Sequence, residues 1–415
     1  MKGTKGGPIA RLPLLDSIRG WAALSVLTYH TFGLNALRRV PYVEWMAAAQ
    51  AHRAAVLLFF TLSGYVIGAT NRGPWSAPAV KKYGLRRFIR LEPIYIIGVL
   101  LGFAASTHAP IWDLLGNGLF LQNMDPGNPT GVQLLAGNQP LWSVHYEVLY
   151  YLLFVVWWRW PSTIPLFLGS GIAVSFAGER ISQVPAFWMS HATGVVFWLA
   201  GLLISRSPPA AGTVRAGSIW SHISWLHAVH HATVLTAVLR HFHFSGTQRS
   251  WLSCGDFALL PGCITLVMLA AQRRPMGAWA WPFLSFGAAL LSCAVVFAGH
   301  EPLAEPRWAA VLFFTVAGIV VWIAKLDGGL SLAERVGSFS YGLYAVHMPI
   351  LVLGFTLAGL GLSPLVALAC AAGCCATSFL LAALLELTLQ PPIRAWFLNL
   401  FEGAPRSPSA GGSAT

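Results

Sequence analysis

The chain has 415 residues, 56% of them hydrophobic and only 10% charged, with 18 tryptophans and a net charge of +12. A soluble domain carries about 25% charged residues, so a soluble enzyme is excluded and a polytopic membrane protein is indicated, in line with a mean hydropathy of +0.63. The basic excess sits in short loops between apolar runs and not along one polar face, which argues against nucleic acid as a partner and makes membrane lipids the surroundings.

The first apolar run, 14–34, follows Lys2, Lys5 and Arg11 in the manner of a signal peptide, but Asp16 and Arg19 interrupt it, so it is read as the first membrane helix after a cytoplasmic tail, 1–10. Arg19 and His30 are about three helical turns apart and project from nearly the same face, roughly 16 Å apart in depth; Asp16 shares that face. A charge within a membrane helix costs about 2.5–3.5 kcal/mol even on lenient scales, so such groups line a protein interior or a watered cavity. A functional tunnel lined by Asp16, Arg19 and His30 follows.

Runs 54–70 and 93–109 come next, separated by a basic segment with Lys81, Lys82, Arg86, Arg87 and Arg90. Arg87 and Arg90 share a helix face, and guanidinium groups so placed grip phosphates through paired hydrogen bonds. A basic anchor on the membrane surface is the plainer alternative. The stretch 107–140 contains no Lys or Arg and is rich in Gly, Asn and Pro, with a surface helix expected at 111–122.

Run 142–159 opens on Trp142, Ser143 and Glu147, the last two one turn apart, with a carboxylate entering the bilayer in need of a partner. An interfacial Trp beside a snorkelling Glu is the alternative. Runs 163–178, 187–205, 255–271, 279–298 and 308–325 read as spans, and 219–239, rich in Ser and His, is doubtful. That segment holds His227, His230 and His231 in the His-x-x-His-His form of di-iron desaturases, with His222, His241 and His243 nearby, but no second such box exists, so no metal is expected.

In run 338–361, Ser340, Tyr344 and His347 fall at i, i+4 and i+7, one polar stripe that catalysis or inter-helix hydrogen bonding alone would explain. Run 363–389 is the last, and its Cys370, Cys374 and Cys375 read as small hydrophobes. The fold expected is all-α: a polytopic integral membrane helical bundle of about 10–12 transmembrane helices over 11–395, followed by a disordered tail, 396–415. With the amino terminus in the cytoplasm and every run counted, 18 Lys and Arg lie inside, seven outside and Arg19 within the membrane, as the positive-inside rule requires.

Five segments, taken in order, resemble the acyltransferase-3 family of membrane-bound acyltransferases: Arg19 with ten residues before His30, Phe59-Phe60-Thr-Leu-Ser63-Gly64-Tyr65, Arg87-Phe-Ile-Arg90, Trp142-Ser143 to Glu147, and Ser340-Tyr341 to His347. Together they span nearly the whole chain. The resemblance implies a ten-helix core that transfers an acyl group from cytoplasmic acyl-CoA, acetyl-CoA being expected, to a hydroxyl, usually on a carbohydrate or glycoconjugate of the envelope. It also implies the bacterial inner membrane. Many members carry a further hydrolase-like domain; the standalone form is expected here.

An alcohol attacks a thioester slowly unless its proton leaves as the bond forms, and His suits that task near neutral pH. His30 is therefore the expected base, with transient acylation of His30 left open. Arg87 and Arg90 would hold the donor's phosphates, and its arm would extend past Arg19 toward His30. Asp16 would offset the charge of Arg19; Glu147 and Ser143 would fix the acceptor or a water, with Trp142, Ser340, Tyr344 and His347 completing the site. An alternating-access transporter is the rival class, and the acceptor, the acyl length and the oligomeric state are not legible in the residues.

Overall fold

The computed structural model describes residues 13–181, 183–212, 214–241, 250–299, 301–326, 328–359 and 361–402. Within them the chain is all-α, with no strand and one isolated bridge between Pro209 and Arg273. Its longer helices are α1 (Pro13–Phe32), α2 (His52–Thr70), α3 (Ala77–Ala105), α4 (Trp142–Arg159), α5 (Ile164–Arg180), α6 (Ala186–Arg206), α7 (Ala216–Ala232), α8 (Leu260–Ala270), α9 (Ala280–Ala298), α10 (Pro306–Ile323), α11 (Ser340–Ala358), α12 (Pro364–Ala383) and α13 (Gln390–Glu402). Among the described residues, eight stretches are long and apolar enough to cross a membrane, those containing α2, α3, α5, α6, α9, α10, α11 and α12 with α13. The polar helices α1, α4 and α7 pack among them.

Small residues set the closest crossings. A Cβ on Gly64 of α2 would lie 1.9 Å from the Trp198 carbonyl oxygen, and one on Gly201 of α6 would lie 1.8 Å from that of Thr61. These two backbones touch, as glycine permits between membrane helices, and α6 is the most buried of the spans. The first turns of α1 are pinned in the same way by the short helix Leu330–Gly337: Gly20 abuts the Ala333 carbonyl and Gly337 that of Asp16. Asp16 and Arg19 are fixed in place by that contact.

The basic segment and the third apolar run form one helix. Ser76 caps α3, its side chain accepting from the Ala79 N–H at 3.3 Å, with Pro78 in the first turn. The helix then runs through Arg86, Arg87 and Arg90 and past Pro93, whose missing N–H forfeits one bond where the basic half meets the apolar half. The expected surface helix is Ile111–Gly118, shorter than 111–122 because Phe120 adopts a left-handed φ of 59°.

The doubtful segment 219–239 is largely α7, a buried helix ended by Thr233 at φ 44° and followed by the helix Val234–His241. Some of its polar side chains bond back to their own helix, Ser221 Oγ to the Gly217 carbonyl at 2.9 Å and His227 Nδ1 to that of Ile223 at 2.9 Å, and His222 Nδ1 meets Ser285 Oγ of α9 at 3.2 Å, which favours burial. His243 lies outside the described residues. At the carboxyl end, α12 passes through a π-helical turn, Leu384–Leu389, into α13. Residues 396–402, assigned from sequence to a disordered tail, are therefore helical, with Phe397 and Phe401 stacked one turn apart at 6.2 Å; 403–415 lie outside the described residues.

Candidate active site

Tyr344 lines two of the cavities that enter the bundle. The larger, about 650 Å³, is lined by Asp16, Arg19, Ser143, Glu147 and Ser340, together with five arginines in all: Arg19, Arg86, Arg87, Arg90 and Arg394. The smaller, about 290 Å³, is lined by Tyr29, His30, His52, Arg53, Trp142 and Trp251. The single tunnel expected from α1 is thus divided. Arg19 faces the arginine cavity and His30, eleven residues and roughly 16 Å of helical rise further on, faces the histidine cavity.

Tyr344 stands where the two cavities meet, held there by two hydrogen bonds of its hydroxyl. Its O–H donates to the Pro140 carbonyl and it accepts from Ser143 Oγ, 2.7 Å away, while Phe59 packs edge-on against its ring at 6.1 Å. Ser143 and Trp142, adjacent in sequence, consequently face different cavities.

In the arginine cavity each charge has a distinct setting. Asp16 Oδ1 lies 3.7 Å from Arg19 Nη1, the pairing expected from the sequence. Glu147 accepts from the Tyr151 hydroxyl, which in turn receives from Ser63 Oγ at 3.4 Å, itself held by Trp198 Nε1 at 3.3 Å. Arg90 is bound to Glu386 Oε2 at 3.2 Å and to Gln390 Oε1 at 3.0 Å. Arg87 differs: its guanidinium stands 5.9 Å over the Tyr151 ring and its buried Nε has no hydrogen-bond partner. A buried donor left unpaired is costly, and with two lining carboxylates against five arginines the cavity suits a polyanion.

In the histidine cavity, the His30 ring lies 5.3 Å from that of His347, and the His52 ring stacks on Tyr29 at 3.4 Å. His347 Nδ1 is 3.0 Å from the carbonyls of Leu343 and Tyr344. Carbonyls only accept, so Nδ1 carries the hydrogen and Nε2, buried and unpartnered, carries the lone pair. Asp125 fastens the cavity's rim: it accepts from the Tyr146 hydroxyl at 2.5 Å, Ser190 Oγ at 2.7 Å and the Trp251 N–H at 2.6 Å. Burial pushes its carboxyl above the usual range, against those three donors.

The eleven residues singled out from sequence therefore gather at these two cavities, although His347 stands behind His30 and lines neither. Sequence reasoning missed His52, Trp251, Tyr151, Glu386 and Gln390. Glu386 carried a usable signal, a carboxylate inside an apolar run, as Asp16 did. The His-x-x-His-His segment packs instead: His227 lies against Trp21 and Phe314, and His230 edge-on to His52. Among the described residues no group of three or more His, Cys, Asp or Glu is placed to hold a metal ion.

A family model described as an acyltransferase domain matches residues 12–383. The chain is 25% identical over 379 residues to the acyltransferase MdmB of Streptomyces mycarofaciens, covering 85% of this chain and 82% of that protein. No solved structure matches it. With a family match over nearly its whole length and the family's motifs arrayed around two adjoining cavities, the chain belongs to the acyltransferase-3 family and is a multi-pass membrane acyltransferase.

Proposed function

We propose that this protein is an O-acyltransferase of the bacterial inner membrane that moves an acyl group, acetyl in the simplest case, from cytoplasmic acyl-CoA to a hydroxyl of a carbohydrate or glycoconjugate presented on the opposite side. The observation that carries the reading is the pair of cavities meeting at Tyr344, one rich in arginine and the other holding His30 among aromatic rings. A coenzyme A donor offers three phosphate groups, which an arginine-rich pocket recognises through charge-assisted bonds. Rings such as those of Trp142 and Trp251 give a sugar's apolar face a surface to pack on.

In this mechanism Arg87, with Arg86 and Arg394 beside it, holds the donor phosphates, and the pantetheine arm runs past Arg19 toward Tyr344. His30 takes the acceptor's hydroxyl proton as its oxygen bonds to the thioester carbon. The carbon–sulfur bond then breaks and the proton passes to the departing thiolate, giving ester and free coenzyme A. His347 Nε2, bare and beside His30, would accept the other N–H of that ring and so aim its lone pair at the acceptor.

Mass spectrometry of envelope glycans from cells with and without this chain tests the reading. An ester present only with the intact chain, and lost with His30→Ala, supports it. Identical glycan profiles would remove the carbohydrate acceptor.

A further inference from the structure

Arg90 and Arg87 lie on one face of α3, yet their surroundings differ, and the difference centres on Glu386. This carboxylate is buried within the π-helical turn Leu384–Leu389, and its two oxygens serve two different helices. Oε2 lies 3.2 Å from Arg90 Nη2 on α3, and Oε1 accepts the Gly342 N–H, at 2.7 Å, in the first turn of α11. First-turn amides have no partner within their own helix, so the carboxylate satisfies an orphan donor and favours the positive end of the α11 dipole. Gln390, the residue after the turn, completes the joint by donating to the Arg90 carbonyl at 2.7 Å and accepting from its side chain at 3.0 Å.

A π-helical turn widens the backbone by one residue and often marks a functional position. Here it lets Glu386 and Gln390 reach the same arginine. Two residues beyond the anchored amide, α11 presents Tyr344, and one turn later His347, so whatever fixes Gly342 fixes the rotation of both side chains about the helix axis.

We propose that Glu386 is a positioning residue for acyl transfer: by bridging Arg90 and the Gly342 amide it locks the donor-side helix α3 to the helix that carries Tyr344 and His347. Arg90 is then committed to this joint, and donor phosphate falls to Arg87 with Arg86 and Arg394 beside it. The inference rests on the acyl-CoA reading above. It adds that donor-site and transfer-site geometry are coupled through one carboxylate.

The test compares Glu386→Ala, which loses both contacts, with Glu386→Gln, whose amide oxygen still accepts from Gly342. Release of free coenzyme A from acetyl-CoA by purified protein is measured at saturating donor, with an envelope extract as acceptor. Glu386→Ala is expected to lower kcat at least tenfold while the donor Kd shifts less than threefold; Glu386→Gln, which keeps the Gly342 bond but loses the charge pairing with Arg90, is expected to lose less, about threefold in kcat. Equal kcat in all three overturns the proposal, and so does an equal loss in both variants, which would assign the effect to the charge on Arg90. Hydrogen exchange of the 338–346 peptide gives a readout that needs no activity: exchange should quicken in Glu386→Ala and not in Glu386→Gln, and unchanged exchange in Glu386→Ala removes the anchor. Should the wild type itself release no coenzyme A, the acyl-CoA reading fails, independently of the exchange result.

Discussion

His30 stands in the last turn of α1 beside the rings of Tyr29 and His347, and its proposed task is proton transfer. A general base contributes about 10²–10⁴-fold, so His30→Ala is expected to reduce turnover by at least a hundredfold in a monodisperse, inserted protein. Retention of more than a tenth of wild-type turnover would leave it a packing residue. Arg87→Gln should raise the donor Kd about tenfold or more and leave kcat at saturating donor little changed, because phosphate grip is made equally in ground and transition states. Calorimetry in detergent giving an unchanged Kd would return Arg87 to the role of membrane anchor. At this scale the sequence was informative wherever a charge stood in an apolar run, as with Asp16, Arg19 and Glu147. What it could not supply was partnership: Arg90 meets Gln390 across 300 residues of chain, and no local spacing encodes that contact.

Among the elements, apolar periodicity located the spans well and their ends poorly. The basic segment and its span proved to be one helix, since Ser76 caps the start and lysine and arginine are good helix formers. The Ser- and His-rich α7 was doubtful as a span, and it is buried because side chains such as Ser221, His222 and His227 bond within the helix or to a neighbour, a compensation invisible to a hydropathy count. The partition formed by α11 and the start of α4 was equally hidden, because Ser143 and Tyr344 were legible as polar residues but not as partners. That partition has a consequence. Joining the cavities by Tyr344→Ala should admit water to the thioester, so coenzyme A release without acceptor should rise severalfold relative to transfer. A hydrolysis-to-transfer ratio equal to wild type would mean that Tyr344 separates nothing.

For the molecule as a whole, the proposed function requires 72–92 in the cytoplasm and 107–140 on the opposite side, the orientation that the positive-inside rule favours. Two positions suit as probes of that topology: Gly73 has open space around it, and Pro126 is exposed. In a chain with its native cysteines replaced, an impermeant thiol reagent applied to intact cells should label Pro126→Cys and spare Gly73→Cys until the membrane is permeabilised. The reverse pattern would place the arginine cavity outside, away from coenzyme A. The all-α bundle was readable from composition, and ten of the eleven residues singled out by motif line the two cavities, while the division of those residues between two cavities required the packing of α1, α4 and α11.

The central claim is that acyl-CoA is used from the arginine-lined side for transfer to an acceptor on the other. It is tested most directly in sealed proteoliposomes of known orientation, with acetyl-CoA supplied only to the face bearing Gly73 and a carbohydrate-containing envelope extract only to the face bearing Pro126. The account predicts labelled ester on the acceptor's side and free coenzyme A on the donor's side, both abolished by His30→Ala. Ester formation only when acetyl-CoA is placed on the Pro126 face, or formation that persists without His30, would contradict it.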